Sequence, residues 1–281
     1  MNIFKERGPE IIRNEIMANT RNCLGTTQTV GVYVSGGIDS AIILDHVVSL
    51  SKIYDTRVII FAADFGLVED ECELQLNMAD HYDVDINIVH IDDMCDALPE
   101  IMRILPKPRF NIWPYFMAQA AKLEGCKKIF VGEGADEIFG GYSKKSYLEA
   151  WADSIIYIQS TYNVLHRHFG IEVCMPFMML DWKRYLPLHE NPNKRAMRIA
   201  YQDLLPRFIL NSVESGPPVY TNYLALWRKE FRDNTDIWFE PETNEEAREL
   251  INLIITRIWL DESLNRLLHG SNENRGLLDD D

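Results

Sequence analysis

Apolar and polar positions change their period several times along this chain. Short runs rich in valine and isoleucine, bounded by turn residues, predict strands at 29–35, 57–63, 84–91 and 127–131. Between them apolar residues recur at helical spacing over about 39–51, 69–81, 93–103 and 113–124, as with Leu74 and Met78, or Phe116, Ala120 and Leu123. A leading helix is predicted over 9–23, where Pro9 suits a first turn and Ile12, Ile16, Asn19 and Cys23 mark one face. Strands alternating with helices predict an α/β fold, a parallel sheet with helices on both faces that binds ligands beyond the strand carboxyl ends.

After Tyr142 the pattern turns helical, at 146–169, 194–212, 221–233 and 243–268, with no convincing strand between. Two units are therefore expected: an α/β core over 1–145 and a helical C-terminal subdomain over 146–281 packed on it. The proline-rich stretches 105–114 and 215–218 read as loops, and the acidic tail 270–281 as frayed.

Composition narrows the class. The 281 residues are 47% hydrophobic and 25% charged, an ordinary globular balance. No apolar stretch approaches membrane-spanning length, and the first thirty residues lack the apolar core of a signal peptide. A cytoplasmic protein is expected. A net charge of −15 argues against a nucleic-acid or anionic-membrane surface. Cys23, Cys72, Cys95, Cys126 and Cys174 are scattered without zinc or disulfide spacing, so reduced thiols are expected. The chain leaves the oligomeric state open.

Two segments carry the chemistry. Thr29-Val-Gly-Val-Tyr-Val-Ser-Gly-Gly-Ile-Asp-Ser-Ala41 reads as a strand, a glycine turn and a helix start. Ser35-Gly36-Gly37 lets several N–H groups converge on an anion beside the positive end of the helix. Ser35 and Ser40 add hydroxyls, and Asp39 sets a carboxylate where Mg²⁺ would bridge phosphates. There is no GxxxxGK[ST], so the turn is not a Walker loop. Lys128-Ile-Phe-Val-Gly-Glu-Gly-Ala-Asp-Glu-Ile-Phe-Gly-Gly-Tyr142 ends a second strand with carboxylates among glycines. In a parallel sheet both turns lie at one edge, so Asp136 would face Asp39 across a crevice.

The Ser-Gly-Gly-Ile-Asp-Ser turn resembles the signature of the PP-loop ATP pyrophosphatases. The segment Phe130 to Tyr142 narrows the likeness to the synthetase domain of asparagine synthetases and the similar β-lactam synthetases, with Val58–Phe61, Pro108–Phe110 and Leu204–Pro206 in the expected order. The resemblance runs from about residue 10 to 215. It implies an ATP- and Mg²⁺-dependent ligase that adenylates a carboxylate and passes it to an amine. By resemblance, Val34, Ser35, Gly36, Gly37, Asp39, Ser40, Phe61 and Gly132 bind ATP, and Asp39 and Asp136 hold Mg²⁺. Glu133, Asp136 and Tyr142 would face the substrate, with Glu133 and Glu172 as catalytic acids. Glu137 reads as a helix-end carboxylate favoured by the dipole, and Gly140-Gly141 as a point of close approach.

Two departures stand beside the likeness. Cys174 occupies the place of an arginine in the family's Glu-x-Arg-x-Pro-Phe segment. Where the family has a lysine after Leu-Leu-Pro206, this chain offers Glu214, with Lys107, Lys144 or Lys145 as substitutes. The chain starts Met1-Asn2-Ile3 and reaches the first motif by residue 35, so no glutaminase domain is expected ahead of it. The amine is therefore expected from ammonia, a partner amidase or the substrate itself. Two alternatives stay open: adenylation of another small molecule or modified base, and a nucleotide-binding partner subunit without catalysis. His166 and His168, two apart on a helix, do not form a metal pair. Asp92-Asp93 reads as a helix cap, and Trp113, Tyr115 and Phe116 as aromatic core.

Overall fold

A computed structural model describes residues 3–66, 72–141, 147–185, 194–211, 218–234 and 243–273. The chain opens with α1 (Ile3–Leu24), then alternates β1 (Thr29–Tyr33), α2 (Ile38–Tyr54), β2 (Arg57–Asp64), α3 (Glu73–Tyr82), β3 (Asp85–His90), α4 (Met94–Ile104), α5 (Trp113–Leu123) and β4 (Lys128–Phe130). There follow α6 (Ala135–Phe139), α7 (Tyr147–Tyr157), a π-helical turn (Ile158–Tyr162), α8 (Asn163–His168) and β5 (Glu172–Cys174). A 3₁₀ turn (Pro176–Met179) leads to α9 (Trp182–Tyr185), α10 (Arg195–Tyr201), α11 (Arg207–Leu210), α12 (Pro218–Asn234) and α13 (Asn244–Glu273).

Alternation in the strands builds two cores. Val30 and Val32 of β1, with Val58 and Ile60 of β2, face one side of the sheet and pack with residues of α1, α2, α10 and α11. Tyr33, Ile59, Phe61 and Ile129 face the other and pack with α4, α5, α8, α12 and α13. The sheet is wholly parallel, in the order β3-β2-β1-β4-β5. β1 lies between β2 and β4, so strand order reverses there and a crevice opens between the loops that leave β1 and β4.

The α/β expectation is met and four predicted strands are present within a residue or two. The fifth strand was not anticipated. β5 pairs Glu172 with Lys128 and Cys174 with Phe130, so a division at residue 145 would cut through the sheet. Three residues reading Glu-Val-Cys are too few to show a period of two. In α1 the fully buried stripe is Ile12, Ile16, Thr20 and Leu24, while Asn19 and Cys23 lie at its edge. The helix expected over 194–212 is two helices, α10 and α11, separated before Pro206.

Candidate active site

The first motif forms the turn its glycines predict. Val34 continues the β1 backbone and donates its N–H to Phe61 O at 3.0 Å. Gly36 takes a positive φ of 79°, and α2 begins at Ile38 after Gly37. No side chain caps that helix end, so its first amides and the positive end of its dipole face the crevice. Ser35 is exposed at the turn. Ser40 is 4% exposed and its hydroxyl works inside the turn, donating to Gly37 O at 3.1 Å and accepting the Ser35 N–H at 3.2 Å. Ser40 thus holds the cradle's shape; the Ser35 N–H is given to Ser40 and the Gly37 N–H to Ser35 Oγ at 3.4 Å, so an anion would meet the exposed Ser35 and the uncapped first amides of α2.

The second motif is pressed against the first. A Cβ on Gly132 would lie 2.9 Å from Asp39 Cβ and 3.0 Å from Ser40 N, so only glycine allows the loops to touch there. A Cβ on Gly141 would lie 1.5 Å from Asp136 Oδ1. Gly141 therefore makes room for the carboxylate of Asp136, which sits in the first turn of α6. Glu137 is buried and accepts a hydrogen bond from Ser154, which ties α6 to α7.

Asp39 and Asp136 converge on one cation. Lys194, which precedes α10, is 4% exposed; its Nζ contacts Asp39 Oδ2 and lies 2.6 Å from Asp136 Oδ1. Its backbone is left-handed, with φ 52° and ψ 36°, a conformation that costs an L-residue about 1–2 kcal/mol. Burying an ammonium costs several kcal/mol unless carboxylates and hydrogen bonds repay it. Two carboxylates within reach of one nitrogen suit a divalent ion at the same point. Among the described residues no three His, Cys, Asp or Glu side chains cluster as a metal site. The protein would thus supply two ligands and leave the rest of a Mg²⁺ sphere to phosphate oxygens and water.

Glu133 completes the acidic group. Its carboxyl is pushed up to about 8, first by burial, then by the charges of Glu137, Asp136 and Asp39, with Lys194 pulling the other way. Next to it lies an aromatic wall. Tyr162, buried, stacks on His166 with ring centroids 4.5 Å apart, and its hydroxyl is held far from ionising by burial, by Tyr33 and by Glu133. His166 Nδ1 lies 2.7 Å from Tyr162 O and Nε2 2.9 Å from Tyr33 Oη. A carbonyl only accepts, so Nδ1 carries the proton and Nε2 accepts from Tyr33. Burial drives this imidazole down to about 4.

Two residues stand elsewhere than the sequence suggests. Glu172 stands at the first position of β5, opposite Lys128 at the start of β4, with its carboxylate 3.5 Å from Lys128 Nζ. It is at the amino edge of the sheet, the wrong end for a second acid beside the substrate. Phe61 is fully buried; its ring meets Tyr33 edge-on at 6.1 Å and its carbonyl is taken by Val34. It is core, and its ring does not line a nucleotide site. Asp93 does stand at the N-cap of α4, its carbonyl accepting the Ala97 N–H at 3.2 Å, but its side chain makes no cap bond. Tyr142, Lys144, Lys145 and Glu214 lie outside the described residues, and Lys107 is exposed. Lys194 was not singled out from sequence. Only charge balance, a crevice of four acids in need of a cation, could have pointed to it, and nothing distinguishes it in pattern from Arg195 beside it.

At the switch point of a parallel α/β sheet, an uncapped helix end thus faces a pair of carboxylates. The chain belongs to the asparagine synthase family, whose model matches residues 12–174, more than half of its length. That family comprises ATP-pyrophosphatase-type amide-bond synthetases. The chain is 33% identical over 121 residues to a Mycobacterium tuberculosis protein carrying a provisional name as a glutamine-hydrolysing asparagine synthetase, across 41% of this chain and 18% of that one. It is 25% identical over 241 residues to the glutamine-hydrolysing asparagine synthetase 3 of Arabidopsis thaliana (72% and 42%), and 30% identical over 152 residues to the amidase chry2 of Gibberella zeae (47% and 22%). The chain spans less than half the length of each of these relatives. Among solved structures it is similar to the U34-tRNA thiolase NcsA of Methanococcus maripaludis with its 4Fe-4S cluster, at 14% identity and a TM-score of 0.42 over 88% of this chain and 80% of that one.

Proposed function

We propose that this chain is an AMP-forming synthetase that joins a carboxylic acid to a nitrogen nucleophile at the expense of ATP. The observation that carries the reading is the meeting of Asp39 and Asp136 at one cation beside the Ser35–Gly37 cradle. The Ser35 hydroxyl and the uncapped amides at the start of α2 would bind triphosphate oxygens. Magnesium, when bound, would neutralise charge on the departing pyrophosphate, and Asp39 and Asp136 would be the residues that hold it. The acid's oxygen attacks the α-phosphorus; pyrophosphate leaves and an acyl adenylate forms. The amine then adds to the acyl carbon and AMP departs.

Glu133 suits the second half. A carboxyl whose proton is held up to about 8 can, once ionised, take the proton an attacking amine must lose. The aromatic wall of Tyr33, Trp113 and Tyr162, with ring centroids 6.0 to 6.5 Å apart, would exclude water that competes for the adenylate. Ammonia, an amine released by a partner, or an amine on the acid itself all satisfy this chemistry.

The test is direct. With Mg²⁺-ATP, ammonium and a panel of amino and dicarboxylic acids, at least one acid should release pyrophosphate and AMP in equal amounts. Release of ADP and phosphate instead, or no acid-dependent pyrophosphate at all, removes the proposal.

A further inference from the structure

One departure from the family pattern finds a partner in the fold. Cys174, in the place of the family's arginine, ends β5 with 2% of its surface exposed. Cys23, half-buried in the last turn of α1, lies against it, the two thiols joined by a hydrogen bond. The meeting follows from how α1 docks. One turn earlier Asn19 Nδ2 donates to Pro176 O at 3.0 Å, and Cys23 Sγ itself lies 3.5 Å from Met179 Sδ. Cys174 is held in the sheet, its carbonyl accepting the Val131 N–H at 3.1 Å.

The two sulfurs differ in chemistry. The Cys23 thiol is drawn below its ordinary value, first by the hydrogen bond from Cys174, with burial and Glu172 opposing and the Lys128 ammonium assisting. Lys128 is fixed nearby, its Nζ donating to Cys23 O at 2.6 Å. The Cys174 thiol is pushed up by the same hydrogen bond and by burial. Burial also pushes Cys95 up to about 12 and Cys126 up to about 11. Thiolate, the form that attacks a peroxide, therefore concentrates at Cys23. A partly exposed thiolate beside a second thiol is oxidised selectively, and the second sulfur can resolve the product.

We propose that Cys23 and Cys174 are a peroxide-oxidised thiol pair, in which Cys23 attacks the oxidant and Cys174 closes a disulfide. The Cys23 thiolate attacks one oxygen of hydrogen peroxide; the O–O bond breaks, and the other oxygen takes a proton from solvent and leaves as water. The Cys174 sulfur, giving up its proton, then attacks the Cys23 sulfenic acid. The S–S bond forms, the S–O bond breaks and a second water leaves. Two thiols lose two electrons, and one peroxide gains them. A disulfide needs the sulfurs about 2 Å apart, and with Cys174 held in the sheet the closing movement falls on the last turn of α1. Neither step depends on nucleotide or on turnover.

The test uses the reduced, folded chain treated with a small excess of hydrogen peroxide, its remaining thiols then blocked and its peptides mapped without reductant by mass spectrometry. The Cys23 peptide should appear joined to the Cys174 peptide, several-fold faster than Cys72, Cys95 or Cys126 is oxidised, and a dithiol should release the pair. Cross-linking of either residue to another cysteine, Cys23 carried to sulfinic acid without a bridge, or equal oxidation of all five thiols overturns the proposal. Two variants assign the order. In Cys174→Ala the sulfenic acid should persist on Cys23 and be trapped by dimedone, whereas in Cys23→Ser the Cys174 thiol should stay reduced. Trapping on Cys174 in Cys23→Ser at the rate seen for Cys23 overturns the assignment. The peptide map of the parent chain stands whether or not either variant folds.

Discussion

Glu133 combines two properties at one residue, an acid held protonated first by burial and then by its acidic neighbours, and a place beside Asp39 and Asp136. Its carboxyl sits at about 8 in the folded protein against an ordinary 4.5. The sign follows from linkage: the folded state prefers the protonated form, so the contribution to stability is full below pH 4.5 and is lost as pH rises through 8. Glu133→Gln, which cannot ionise, should match the parent near pH 4.5 and melt several degrees higher at pH 9, while amide formation falls about 10²-fold or more. Thermal melts at the two pH values check the first part; a difference that does not grow with pH contradicts it. The gathering of Asp39, Asp136 and Glu133 around one point was legible because each follows a strand end within a glycine turn. Lys194 was not, since its partners lie 155 residues away for Asp39 and no local pattern records them.

At the scale of elements, the crevice depends on how closely β1 and β4 run. Gly31 lies in β1 between β2 and β4, paired with Ile59 and Ile129, and a Cβ there would stand 2.3 Å from Ile129 Cδ1 and 2.7 Å from Phe61 Cε2. Gly31→Ala should therefore destabilise the chain by about 1–3 kcal/mol, read as a lower urea midpoint with an unchanged slope; a neutral substitution would show that the strands can part. Long strands with alternating burial and a leading helix with an apolar stripe were readable from the sequence. β5 was not, because it holds its place through pairing with β4 and not through any period of its own. That omission misled the reading of Glu172: read as part of a loop it could approach the site, but in a parallel strand its register with Lys128 fixes it at the far edge. Phe61 failed for a related reason, since its position in the motif order says nothing of which face its ring takes.

For the molecule as a whole, two buried imidazoles set the acid limit. His46, in α2, lies 2.8 Å from Tyr201 Oη on one side of the sheet, and His166 pairs with Tyr33 on the other. Burial takes each down to about 4 from 6.5. Their contribution to stability is therefore present above pH 6.5 and is lost as pH falls towards 4. The melting temperature should decline across that window, and replacing both by glutamine should flatten the decline; an unaltered slope would place the acid sensitivity elsewhere. Among the described residues no helix is long and apolar enough to cross a membrane, and none of the five cysteines is in a disulfide.

In the proposed function Asp39 and Asp136, from two turns at the sheet's switch point, share one Mg²⁺ on a bound nucleotide. Calorimetric titration of ATP with and without Mg²⁺, into the parent chain and into Asp39→Asn and Asp136→Asn, tests it most directly. Mg²⁺ should strengthen ATP binding to the parent by about tenfold or more, and either substitution should remove most of that gain. Binding of ATP that is indifferent to Mg²⁺ in the parent, or a gain that survives both substitutions, would contradict it.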